Sequence, residues 1–292
     1  MRVLGRRAWL RGAAGASVWL VHRNAAANTS ASSIETRPNV AVEADVGDLD
    51  VEIETTTTHV VSVAEASLPS GFSVDLVGSK RRVEVVVRGI AAPGSGRVRL
   101  SVPVRARVTV HTRRGDVTIV GLQGEAHVST LQGDISVGGS PTRVEASTTS
   151  GDIRVVGVSK EAELSTVSGD VRVAKARGRL EAETISGGIA IANAELQRSR
   201  LSTISGDIGF EGGLASGEHT LDAHSGNISA QLDPKQGVRL SAQTFSGVVE
   251  DALVDPPIRT RGRHVRQHRD GAARLELATF SGDVRISPRP AG

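Results

Sequence analysis

Around residue 151 the chain alternates apolar and polar positions with a period of two, on both sides of a Gly-Asp pair. In VEASTTSGDIRV, residues 144–155, one face collects Val144, Ala146, Thr148, Ile153 and Val155, and the other collects Glu145, Ser147 and Arg154. That is the period of a strand, whose successive side chains point to opposite faces. The stretch therefore predicts two short strands joined by a turn at Ser150, Gly151 and Asp152. The pattern recurs at Gly115, Gly133, Gly151, Gly169, Gly187, Gly206, Gly226, Gly247 and Gly282, spaced 18, 18, 18, 18, 19, 20, 21 and 35 residues apart. Two residues after each Gly stands Val or Ile without exception. Five before it stands Val, Ala or Leu, and three before it Thr, except at Ala223. Self-similarity at a fixed period signals a solenoid, in which each repeat buries its apolar face only by stacking on its neighbours.

The Gly-Asp pair suits the reversal between strands. Gly takes positive φ at no Cβ cost, and Asp can accept a hydrogen bond from a nearby backbone N–H and hold the turn. Strands stack about 4.8 Å apart, so nine coils predict a rod roughly 40 Å long. The expected fold is all-β: a single-stranded β-solenoid, read as a right-handed β-helix, with 18–21-residue coils over residues 106–292. Residues 38–105 are strand-rich but lack the Gly-Asp period (RRVEVVVRGI, RVRLSVPV). They are read as an irregular β cap over the open solenoid end, whose unpaired strand edges need cover. Residues 28–37 read as a polar linker. No segment predicts a helix.

The TxSGD[IV]xV repeats, the lead-in VRLSVPVRARVTVHTRRGDVTI and the closing LELATFSGDVRI resemble the bacterial putative-adhesin family of β-strand repeat proteins, the toastrack domain. The resemblance spans roughly residues 38–288. It implies a β-solenoid on the cell-envelope side of a bacterial membrane, with related domains accompanying envelope-stress membrane proteins. Gly188, Asn227 and Val248 depart from the pattern in place of Asp, and Ser199 and His219 interrupt an inward apolar column.

Composition narrows the chemistry. With no Cys, the chain has no disulfides, thiol catalysis or thiolate metal sites. Residues 1–27 read as an export signal of twin-arginine type: Arg6-Arg7, a short apolar run, then Ala25-Ala26-Ala27, with no acid before Glu35. The segment holds five Arg, so its removal takes the net charge from +3 to 3 − 5 = −2, and both Trp leave with it. The mature chain then lacks the basic stripe and stacking rings of a nucleic-acid binder. It also lacks the roughly 20 apolar residues of a membrane span.

Two features invite chemistry. The Gly-Asp column is Gly115-Asp116, Gly133-Asp134, Gly151-Asp152, Gly169-Asp170, Gly206-Asp207 and Gly282-Asp283. Its stacked carboxylates invite a cation, but one carboxylate per coil falls short of the six to eight oxygens that calcium takes. These Asp are read as structural, with no metal or other cofactor. The second feature is the insertion at about 251–271, which carries Arg259, Arg261, Arg263, Arg266 and Arg269 with His264 and His268. Clustered Arg can grip phosphate or carboxylate groups. The alternative for this insertion is a solvated hairpin covering the last coils. The eight His show no metal-binding spacing and no nucleophile elbow appears. The expectation is a non-catalytic, exported envelope module, at the periplasm or cell surface, whose partner is an envelope polymer, a lipid or a membrane protein. The alternatives are an accessory or sensing component of an envelope-stress system, and a polysaccharide-active β-helix enzyme.

Overall fold

A computed structural model describes residues 29–68, 71–88 and 96–290. The expected export signal lies outside the described residues. Those residues are all-β, and each repeat contributes one strand to each of two parallel ladders. The first ladder runs through Arg107–Arg114, Glu125–Gln132, Arg143–Ser150, Glu161–Ser168 and Arg177–Ser186. The second runs through Val117–Leu122, Ile135–Gly139, Ile153–Val156 and Val171–Ala174. The 17-residue strand Ile189–Ser205 serves both, closing one coil and opening the next.

Register is kept along the two core columns, and the shifts, such as that between Gly178 and Arg179, fall outside them. Val110, Val128, Ala146, Leu164, Ala182, Leu201 and Leu221 are successive partners, as are Val117, Ile135, Ile153, Val171 and Ile189. Both columns are buried and belong to one continuous core. A one-residue slip would turn every such side chain to solvent, which pins the register. Phe210, the one buried Phe among the described residues, takes an inward place beside the small Ala230 of the next coil. The two polar residues in the inward column satisfy each other. Ser199 and His219 are register partners, with Oγ to Nδ1 at 3.0 Å, and His219 Nε2 lies 3.1 Å from the Ala215 carbonyl.

Coil order in space departs from order in sequence at both ends. Strand Glu218–Ser225 pairs with Ala273–Ser281, the last repeat, and the earlier strand Val238–Ser246 packs outside it. The last repeat thus returns into a slot left open, and Gly282 stacks on Gly226 while Gly247 stacks on Gly282. The N-terminal end mirrors this, with Ala41–Gly47 lying between Arg82–Arg88 and Arg107–Arg114. Residues 38–105 are accordingly not irregular throughout. They include the coil 41–56 and the strands Arg82–Arg88 and Gly96–Pro103, all in register with the ladders, and the antiparallel strands Val60–Ser67 and Ser73–Ser79 cover those two outermost strands. At the other end, Ile258–Thr260 and Arg263–His268 pair antiparallel with Val249–Asp251 and Val238–Ser246. Each outermost coil is covered by antiparallel strands, which protects the open edges against further pairing.

Candidate functional site

At the corner of each coil the chain turns through the Gly-Asp pair. Gly151 has φ of +150°, and a Cβ there would lie 2.1 Å from the Gly133 carbonyl oxygen of the coil below. Only Gly permits that approach. The carbonyl so approached is also bonded. Thr148, Thr166, Thr184 and Thr203 donate their hydroxyls to the carbonyls of Gly133, Gly151, Gly169 and Gly187, at 3.0–3.3 Å. The Thr column is therefore the partner of the turn. Thr130 differs, its hydroxyl donating to its own Gln132 carbonyl.

Each Asp acts between coils. Asp116 Oδ1 accepts from the Asp134 amide, Asp134 from that of Asp152, Asp152 from that of Asp170, and Asp170 from that of Gly188, all at 2.8–2.9 Å. Asp207 and Asp283 do the same for Asn227 and Val248. This ladder explains two departures from the repeat. Asn227 still offers an oxygen, which accepts from the Asp283 amide at 2.9 Å. Val248 lies on the outermost coil, with no following amide to serve. Arg172 pairs with both Asp152 and Asp170 and relieves the repulsion of stacked carboxylates. The Asp170 amide, helped by Arg172, holds the Asp152 carboxyl below the usual range, against a smaller opposing effect of burial.

The Arg-rich insertion forms the hairpin over the last coil, and its Arg do not make one cluster. Arg259 pairs with Glu250 at 3.3 Å, and Arg269 donates to the Pro234 carbonyl. Arg261 and Arg263 are exposed and without an ion pair among the described residues. Arg266 alternates with His264 and His268 on the half-buried face of its strand. These two His meet at Asp251, which is fully buried at an inward position next to Ile286. His264 Nε2 lies 3.1 Å and His268 Nε2 2.9 Å from the same Asp251 Oδ2, while Oδ1 accepts from the Leu253 amide. A carboxylate buried without such partners would cost several kcal/mol. Asp251 therefore ties the hairpin to the coil it covers. Among the described residues no group of three or more His, Asp or Glu is placed to hold a metal ion.

The profile of the Toastrack DUF4097 family matches residues 35–189 and again residues 142–287, together 35–287 of the 292 residues. The chain belongs to the Toastrack DUF4097 family. No curated protein matches it. Among solved structures it is similar to a putative cell adhesion protein from Clostridium sporogenes ATCC 15579, at 10% identity and a TM-score of 0.26. That likeness covers 90% of this chain and 100% of the other.

In this Toastrack chain the repeat columns that periodicity marks out come together in register. Three features escape sequence reasoning. The Thr hydroxyls bond the Gly carbonyls, Asp251 binds two His from the insertion, and an apolar column lies exposed beside the Gly corner. That column holds Leu131, Val167, Ile185, Ile204, Phe280 and Phe245. At its end His224, Phe280 and Phe245 form a parallel stack, with ring centroids 5.2 and 4.8 Å apart. The position after each Thr was legible as apolar in most repeats. That Phe280 and Phe245 are neighbours follows only from the swapped coil order.

Proposed function

We propose that this Toastrack protein is an exported, non-catalytic binding or scaffold module of a bacterial cell envelope, acting in the periplasm or at the cell surface. One observation carries the reading. The ionisable column that runs along the rod is spent on holding coil to coil, one oxygen of each Asp being taken by the next amide. What is left for recognition is outer surface: the apolar column, and Arg261 and Arg263 on the hairpin. The partner suited to those Arg is an anionic envelope polymer, a lipid headgroup or an acidic face of a membrane protein. No described helix is long and apolar enough to cross a membrane.

Two measurements test this. Mass spectrometry of the exported protein should find a chain beginning near Asn28, whereas an intact chain confined to the cytoplasm would refute export. Sedimentation with vesicles containing phosphatidylglycerol should show binding that weakens with salt. It should be lost when Arg261, Arg263 and Arg266 are replaced by Ser, at unchanged melting temperature. A triple variant that binds vesicles normally but unfolds early would make these Arg structural.

A further inference from the structure

The corner of the outermost C-terminal coil is left unfinished. In the corner column Gly151, Gly169, Gly187, Gly206 and Gly226 donate their N–H to Ser168, Ser186, Ser205, Ser225 and Ser281 of the coil above, and Gly282 donates to Ser246. The carbonyl of each receives a Thr hydroxyl in most coils, as Gly282 does from Thr244 at 2.8 Å. Gly247 stands last, and among the described residues neither its N–H nor its C=O has a partner. The hairpin cannot reach it. Thr260 lies opposite Val249 and Arg263 opposite Gln243, so two residues, 261–262, span what the coil spans with five, 244–248. Cover ends where the Gly262 carbonyl accepts from the Thr244 amide.

Beside this open rung stands Phe245, 79% exposed and stacked on Phe280. No coil lies above its outer ring face. A chain with four Phe places two of them in this exposed stack, and exposed apolar groups of this kind mark interaction surfaces.

We propose that this corner docks an extended peptide segment of another protein, acidic and bearing an aromatic side chain, which adds one more rung to the ladder. An extended backbone supplies both an acceptor for the Gly247 N–H and a donor for its carbonyl. An aromatic side chain continues the stack on Phe245. Charge selects the partner. Residues 252–272 hold five Arg and two Asp, a net of 5 − 2 = +3, which repels a second copy of this end and attracts an acidic strand. The proposal shares the hairpin charge with the anion-binding reading, but its contacts are at Phe245 and Gly247, which that reading does not use.

The chain's own last repeat supplies the probe, since ELATFSGDV, residues 276–284, is what the next rung would look like and carries two acids. Fluorescein-labelled nonapeptide should bind the whole protein in an anisotropy titration. The affinity should fall about fivefold or more when the peptide Phe is replaced by Ala, and equally for the Phe245→Ala protein. Amide exchange at Gly247 should slow on binding, while Leu131→Ser, elsewhere on the apolar column, should leave the affinity unchanged. Equal binding of a scrambled nonapeptide would overturn the proposal and leave the anion-binding reading standing. So would exchange at Gly247 that ignores the peptide, or a dimer of the protein that Phe245→Ala dissociates.

Discussion

Replacing Gly169 by Ala puts the corner geometry to a direct test. Its φ is +150°, and the added Cβ would lie 2.0 Å from the Gly151 carbonyl oxygen. The backbone conformation costs an L side chain about 1–3 kcal/mol. The contact is about 1 Å inside the closest approach real Cβ atoms tolerate, and its opponent is backbone in a stacked coil. Relief requires lifting one coil from the next, at the expense of the bonds from the Gly151 amide to Ser168 and from the Thr166 hydroxyl to Gly151, at 3.0 and 3.2 Å. Two such bonds add about 1–2 kcal/mol. The expected loss is about 2–5 kcal/mol. Gly209→Ala is the control. It sits in a strand with its nearest neighbour 4.0 Å from the added Cβ, and should change stability by less than about 1 kcal/mol. Because a solenoid is nearly one-dimensional, the lesion should appear locally. Denaturant titration gives the overall loss, and hydrogen exchange should show the coils on either side of Gly169 opening first. A Gly169→Ala protein within about 0.5 kcal/mol of the parent, with unchanged exchange, would refute the close-approach account.

Asp152→Asn keeps an oxygen for the Asp170 amide, as Asn227 does naturally, and should cost no more than about 1 kcal/mol, whereas Ile153→Asp places a charge in the core and should cost more than about 3; paired denaturant titrations compare them. The carboxyl of Asp152 lies below its usual range in the fold, so its contribution is present above about pH 4 and lost as pH falls through the lower folded value, and Asp152→Asn should flatten that acid limb of a stability–pH curve. His219 is held neutral, its pKa lowered chiefly by burial, so stability should be full above about pH 6.5 and decline below it as the unfolded chain takes up the proton. A double variant, Ser199→Ala with His219→Leu, should lose that limb in thermal melts across pH 5–8. Asp251→Ala should free the hairpin, with amides of Arg263–His268 exchanging faster while those of the central coils stay protected, since the two imidazoles lose their common partner.

The sequence alone determined the solenoid, because each coil must bury the same face and does so with the same residue types at the same offsets. Val117, Ile135, Ile153 and Val171 announce the core of the second ladder, and the Gly-Asp pairs announce its corners, without any knowledge of contacts. The periodicity is silent on which coil follows which in space, because every coil presents the same edge and any two are compatible neighbours. The 35-residue gap between Gly247 and Gly282 looks like a plain insertion. Tertiary structure turns it into a strand exchange that makes coil 238–251 outermost and seats Asp251 between His264 and His268. The Asp column likewise reads as a set of local turn caps, whereas its hydrogen bonds run to amides 18–35 residues away, brought near only by stacking. The uncovered corner at Phe245 and Gly247 is furthest from the sequence's reach. It exists because a hairpin of two residues crosses where a coil uses five, a difference of path length that only the folded chain expresses.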